Sequence, residues 1–237
     1  MPKMTESQVI QALTKFDTAT ICNVVATHSR FPNLCLNLYD PWYGEYYTDQ
    51  TLRCMYPKMK PVCGFAATAW YSEASSEYPA IDRWALPDHF EASKKPIILA
   101  AKQTYPPKLV NLSGLFGSNM TAEFKAQGVV GVVTDGPMRD HEAIRSQRVQ
   151  YLATGLTSGH GKFVLRAVNT PVQIAGMSVS PGDIIHMDVC GAAKFPASEL
   201  SKVLKNAKEV VKRESAYQRM FQGKKFTLSK WKKFKSG

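Results

Sequence analysis

From Gly117 to Asp140 the chain reads GSNMTAEFKAQGVVGVVTDGPMRD, a helix pattern that runs into a short apolar strand, stops on Asp-Gly and then offers an arginine beside a carboxylate. Val129, Val130, Val132 and Val133 lie between Gly128 and Gly136, and a β-branched run of that length bounded by glycines fits a buried strand better than a helix. Residues just past the end of such a strand sit on the rim of a sheet. Arg139 supplies a forked, permanently charged donor suited to a carboxylate or an enolate, and Asp140 a hard oxygen ligand suited to magnesium or manganese. The plainer reading of the pair is a surface ion pair opening the next helix, where acids are favoured anyway.

With 237 residues the chain is long enough to bury a substantial core as a single domain over 1–222, followed by a basic tail over 223–237. Hydrophobic residues make up 44% and charged ones 21%, the balance of an ordinary globular protein. No apolar run approaches the roughly 18 to 20 residues of a membrane span, and the polar start carries no signal-type apolar segment, so no membrane partner and a cytoplasmic location are expected. Cys22, Cys35, Cys54, Cys63 and Cys190 are irregularly spaced, without a C-x-x-C or a zinc-type cluster, and read as reduced thiols. The net charge of +11 would suggest a nucleic-acid binder if it were spread evenly, but six of the eleven come from lysines between Gly223 and Gly237. That tail interleaves Phe226, Trp231 and Phe234 with its lysines, a pattern able to meet RNA or an acidic surface, and equally a loosely held extension or one docked on a neighbouring subunit.

Helical spacing covers Thr5 to Phe16 and Thr18 to Thr27, with Thr5 and Asp17 as N-caps. Residues 31–60 are rich in Tyr, Trp and Pro with no clean period and read as a long ordered loop. Strands are expected at Val62 to Trp70, Pro96 to Ala101, Val149 to Ala153, Phe163 to Val168, Pro171 to Ile174, Met177 to Val179 and Ile184 to Asp188. Helices are expected within Ser72 to Ser93, at Asn119 to Gln127 and His141 to Gln147, and as a long amphipathic stretch over Ala197 to Gln222 whose apolar stripe includes Val210 and Val211. The sum is a compact β-rich core framed by helices. The Gly-punctuated turn NLSGLFG before Asn119 is a natural place for backbone amides to hold an anion.

GVVGVVTDGPMRD, followed by NTPVQIAGMSVSPGDIIHMDVCGAAKFP, resembles the RraA-like family, which includes the regulator of ribonuclease E activity A and the 4-hydroxy-4-methyl-2-oxoglutarate aldolases. The likeness runs from about Asp17 to Pro196 and is strongest from Gly114 onward. It implies an α/β fold of the swivelling β/β/α sandwich type (phosphohistidine-domain-like), with N-terminal helices and a long C-terminal helix, assembled as a homotrimer or hexamer with the site between subunits. It also implies that Arg139 grips the carboxylate and keto oxygen of a small 2-oxo acid. Asp140 would hold a divalent metal, Mg2+ or Mn2+, largely through water. Gly117, Ser118, Asn119 and Met120 would bind the substrate, the last two through amides facing its carboxylate.

The chemistry so implied is metal-dependent carbon–carbon cleavage through a pyruvate enolate, either as an aldolase or as an oxaloacetate decarboxylase, with no lysine Schiff base. The family's aldolases place an acid where this chain has Ser118, and favour another where it has Ala143. A serine hydroxyl can hold a water but cannot take its proton at neutral pH. His141, Glu123 or a neighbouring subunit are candidates to replace that acid, and His160 in the Gly-rich SGHGK lies on a loop able to contact a substrate. The alternative is a non-enzymatic regulator contacting RNA or a ribonuclease, for which the two missing acids and the basic tail speak.

Overall fold

The computed structural model describes residues 4–28, 31–75, 77–222 and 226–236. Two short helices open the chain, α1 (Glu6–Leu13) and α2 (Thr18–Val25). Thr5 caps the first in a reciprocal capping box with Gln8, and Asp17 caps the second by accepting from the Thr20 amide, both as the sequence predicts. The aromatic segment that follows contains only a two-residue strand, β1 (Arg53–Cys54), and isolated bridges, in keeping with its lack of a period.

The core is a mixed eight-stranded sheet in the order β1-β5-β4-β3-β2-β9-β10, with β6 pairing the free end of β2. The members are β2 (Val62–Glu73), β3 (Ile97–Thr104), β4 (Val129–Thr134), β5 (Gln150–Ala153), β6 (Phe163–Val168), β9 (Ile184–Asp188) and β10 (Gly191–Phe195). Strands β2 to β5 run parallel, and their crossovers carry the helices α3 (Ala85–Ala92), α4 (Ser118–Ala126) and α5 (His141–Gln147). A separate hairpin, β7 (Val172–Ile174) with β8 (Met177–Val179), lies apart from this sheet.

The period of two along β3 sorts the layers. Ile97, Leu99 and Ala101 pack with Phe90 of α3, Phe124 of α4 and Ile144 of α5, whereas Ile98 and Ala100 pack with Val172, Ile174, Met177 and Val179 of the hairpin. Hairpin, sheet and helices therefore form three layers, the β/β/α sandwich. A second helical cover of α1, α2 and the long α6 (Leu200–Gln222) buries Leu13, Val24, Val203 and Ala207 against Phe65 and Phe195. Each large side chain so buried contributes about 1.5–3 kcal/mol.

Several expectations need correction. Strand β10 was not predicted, because GAAKF is short and small-residued, yet it pairs in full register with β9 from Gly191 to Phe195. Residues Ala197–Glu199 form a 3-10 turn before α6 begins at Leu200, and Val211 lies on the exposed side of that helix, with Val210 the last buried residue. Of the basic tail, Leu228–Ser236 is a helix, α7, and Trp231 sits against Phe221 of α6 with ring centroids 5.6 Å apart. Lys224 and Lys225 fall outside the described residues. No described helix is long and apolar enough to cross a membrane.

Candidate active site at the end of β4

Three chain segments cross beyond the ends of the parallel strands and tie to one another through backbone hydrogen bonds. The Arg139 amide donates to the Phe116 carbonyl at 3.0 Å, the Met138 amide to Gly155 at 3.0 Å, and the Thr157 amide to Met138 at 3.0 Å. This miniature ladder extends the sheet past its named strands, and glycines let its members approach closely. A Cβ on Gly114 would lie 2.9 Å from the Thr157 methyl, and one on Gly117 would lie 2.6 Å from Asp140 Oδ2 and 3.1 Å from Arg139 Nε. Gly117 is thus dictated by crowding, its backbone being ordinary extended chain.

Asp140 stands at the N-cap of α5 in the left-handed region, φ 59° and ψ 36°, a conformation that Asp tolerates better than most residues. It makes no cap bond to its own helix. Its Oδ2 turns back instead and accepts from the amide of Ser118 at 2.9 Å and from the Ser118 hydroxyl at 3.1 Å, so that it caps the first turn of α4. The Ser118 amide is the largest cause holding this carboxyl below its ordinary value of 3.8; partial burial opposes it, and the Ser118 hydroxyl and Arg139 add to the lowering. The Nε of Arg139 is 4.0 Å from Oδ2, at the outer limit of an ion pair, and its guanidinium makes no hydrogen bond to protein among the described residues. The pair is therefore more than a surface bridge: the carboxylate caps a neighbouring helix, and the guanidinium faces the cleft with only a 4.0 Å ion pair to that carboxylate.

A cleft of about 140 Å3 opens here, lined by Gly117, Asn119, Met120, Arg139, Asp140 and His160, with Leu115 and Phe163 as apolar walls. The predicted site residues are brought together, and Ser118 borders the cleft through its bonds to Asp140. The amides of Asn119 and Met120 belong to the first turn of α4, where no acceptor exists within the helix. Beneath the turn, the buried Thr121 hydroxyl donates to the Gly117 carbonyl at 2.8 Å and lies 2.7 Å from the Tyr151 hydroxyl.

The candidate replacement acids fare differently. His141 points away: Nδ1 is 3.0 Å from Glu142, Nε2 is 3.0 Å from the Met55 carbonyl, and the ring stacks on Tyr56 at 4.9 Å. Glu123 lines the adjoining groove that shares Met120 and Phe163 with the cleft, and Ala143 is exposed beyond the cleft. His160 alone among these reaches the cleft. Its sequence signal was the pair of glycines around it, since Gly159 accepts from the Gly114 amide and a Cβ on Gly161 would lie 2.6 Å from Ser113 Oγ. The walls Leu115 and Phe163 carried no sequence signal beyond core hydrophobicity.

Among the described residues no group of three or more His, Cys, Asp and Glu side chains converges as a metal cage. Asp140 Oδ1, by contrast, takes no protein donor among the described residues. This donor set fits a magnesium-like ion, which keeps several waters and accepts one or two carboxylate oxygens, and does not fit zinc.

Comparison with known proteins identifies the family. The RraA-like model, described as Aldolase/RraA, matches residues 18–193, about three quarters of the chain. An uncharacterised protein of Methanocaldococcus jannaschii, MJ0644, is 32% identical over 103 residues, 43% of this chain and 50% of that protein. A putative 4-hydroxy-4-methyl-2-oxoglutarate aldolase of Halalkalibacterium halodurans is 30% identical over 86 residues, 36% of this chain and 41% of that protein. The matched stretch thus spans half or less of these relatives' lengths. Among solved structures, Streptomyces coelicolor RraAS2, an unusual member of the RNase ES inhibitor RraA protein family, superposes with a TM-score of 0.68 at 20% identity, covering 92% of this chain and 99% of that one. That likeness is one of fold. From its family match and its shared architecture, this chain belongs to the RraA-like family.

Proposed function

We propose that the cleft cleaves a small 2-oxo acid through a pyruvate enolate, as a divalent-metal-dependent lyase of the 4-hydroxy-4-methyl-2-oxoglutarate aldolase or oxaloacetate decarboxylase type. One observation carries the reading: a guanidinium that makes only a 4.0 Å ion pair, a carboxylate whose Oδ1 takes no protein donor among the described residues, and the first turn of α4 line the same 140 Å3 cleft. The substrate carboxylate lies against the amides of Asn119 and Met120, where the helix terminus favours negative charge. Arg139 donates to the 2-oxo oxygen. Asp140 would hold Mg2+ or Mn2+, which would supply Lewis acidity to the developing enolate.

In decarboxylation the electron pair of the bond to the leaving CO2 moves into the C2–C3 bond, and charge collects on the C2 oxygen, where Arg139 receives it. The enolate then takes a proton at C3. In aldol cleavage a base must first remove the proton from the C4 hydroxyl, a role given in this reading to His160, whose imidazole lines the cleft. Ser118, bonded to Asp140, holds water and takes no proton, so decarboxylation tolerates this chain's composition better than aldol cleavage. A homotrimer or hexamer, with a neighbouring subunit closing the cleft, completes the reading.

A second reading, a non-enzymatic regulator that contacts RNA or a ribonuclease, is favoured by Ser118 standing where the family's aldolases carry an acid, and by the lysine-rich α7. Pyruvate release from oxaloacetate and from 4-hydroxy-4-methyl-2-oxoglutarate, with and without Mg2+, in the natural chain and in Asp140→Ala, separates the two. Metal-stimulated release that disappears in the variant supports the lyase. Stimulation unchanged in the variant, or no release from either acid, removes it.

A further inference from the structure

The 140 Å3 cleft does not end at its own walls. Met120 and Phe163 also border a second, larger hollow of about 470 Å3, which runs between α3 and the segment before it on one side and α4 and β6 on the other. Its floor is apolar and firmly built, with Phe90 fully buried and stacked edge-on against Phe124 at 5.5 Å. Its rim carries Ile81 and Trp84, the latter 59% exposed with the Arg83 guanidinium 4.8 Å from its ring centroid. Concavity, an apolar lining and a few polar groups at the edge are the marks of a small-molecule site, and this volume falls in the ordinary range for one. The cleft at Arg139 and the aromatic hollow thus adjoin, with Met120 and Phe163 as walls common to both.

We infer that the preferred substrate is a 2-oxo acid bearing an aromatic or bulky apolar substituent, with its oxo-acid head at Arg139 and its tail passing Met120 and Phe163 into the hollow beneath Trp84. This rests on the proposed function for the head group and adds the class of the tail. Burial of a phenyl-sized group against this lining is worth enough to matter, since about 25 cal/mol per Å2 of apolar surface amounts to tenfold or more in affinity.

Binding of pyruvate and of 2-oxo-4-phenylbutanoate is measured by calorimetry, in Mg2+, on the full chain and on Trp84→Ala, Ile81→Ser and Arg139→Ala, with solution mass recorded for each. Trp84 and Ile81 are on the rim and their loss leaves the fold intact. The expected result is binding of the phenyl compound at least tenfold tighter than pyruvate, a preference reduced to less than threefold in Trp84→Ala or Ile81→Ser with pyruvate binding unaltered, and loss of both ligands in Arg139→Ala. Equal affinity for the two acids overturns the tail assignment while leaving the head-group reading standing. Phenyl binding indifferent to Arg139→Ala overturns it as well, because the hollow would then be a separate site. A fall in oligomer mass in Trp84→Ala assigns the hollow to a second copy of the chain and overturns it too. Failure of pyruvate itself to bind identifies the head-group reading as the one at fault, and the tail assignment falls with it.

Discussion

Asp140 caps the helix that begins at Ser118, twenty-two residues earlier, and leaves its own helix uncapped: its Oδ2 accepts from the Ser118 amide at 2.9 Å. The carboxylate expected to hold a metal is thus also a structural part of the turn expected to hold the substrate. Replacing it should have two separable effects. Asp140→Ala removes an N-cap worth about 0.5–2 kcal/mol and lowers the melting temperature, whereas Asp140→Asn keeps an acceptor and recovers most of that loss. Metal-stimulated pyruvate release should be absent from both variants. Equal melting temperatures for natural chain and alanine variant would contradict the capping role.

Gly117→Ala tests crowding. The new methyl would meet Asp140 Oδ2 at 2.6 Å, and both Asp140 and Arg139 must shift to admit it. Pyruvate release should fall by about 100-fold, a loss that misplaced catalytic groups can produce. Circular dichroism should stay near that of the natural chain, since the backbone there is ordinary extended chain. Full activity in the variant would show that the turn does not position the pair.

His160→Gln should reduce turnover more than binding. Oxalate, which resembles a pyruvate enolate, should bind the variant as it binds the natural chain, while turnover falls by roughly 100-fold or more, the range for a lost acid or base. The loss should be greater for aldol cleavage than for oxaloacetate. A variant that loses oxalate binding instead would make His160 a binding group.

The N-terminal helices are held by a buried imidazole. His186 lies 2.9 Å from the Thr18 hydroxyl and 3.2 Å from the Leu13 carbonyl, and Asp17 and Asp188 are the acids acting on it. Burial lowers its pKa below the ordinary 6.5, against the pull of the Leu13 carbonyl and the two acids. Below pH 6.5 the unfolded chain therefore binds a proton that the folded chain excludes, so stability is full above that pH and falls as pH drops through this window. The melting temperature should decline between pH 7 and pH 5, and His186→Gln should flatten the decline. An identical slope in the variant would assign the effect elsewhere.

Thiol reactivity should follow burial. Cys190 is exposed, while Cys63 is buried and Cys22 has its pKa pushed up to about 12, chiefly by burial and secondarily by Asp188 and Asp17. A maleimide at pH 7.5 should label Cys190 first and reach Cys22 and Cys63 only on unfolding. Prompt labelling of Cys22 would show that α2 opens readily.

Local pattern carried the layers and much of the site. The valines of β4, the caps Thr5 and Asp17 and the Arg139–Asp140 pair are read within a few residues of themselves, where periodicity and capping chemistry operate. What sequence could not supply is partnership at a distance. His141 adjoins Asp140 along the chain yet spends both ring nitrogens on Glu142 and Met55, while His160, twenty residues away, is brought to the cleft by the ladder through Met138. Strand β10 has no local signature for the same reason: GAAKF is a strand because β9 is beside it.

Helix α6 buries nothing past Val210, and its last twelve residues carry it about 18 Å further, at 1.5 Å per residue, to the aromatic contact between Phe221 and Trp231. The lysines of α7 therefore follow a stretch of α6 that lies beyond its last buried residue. Truncation after Val211 would remove the lysine-rich end and spare every residue that lines the cleft.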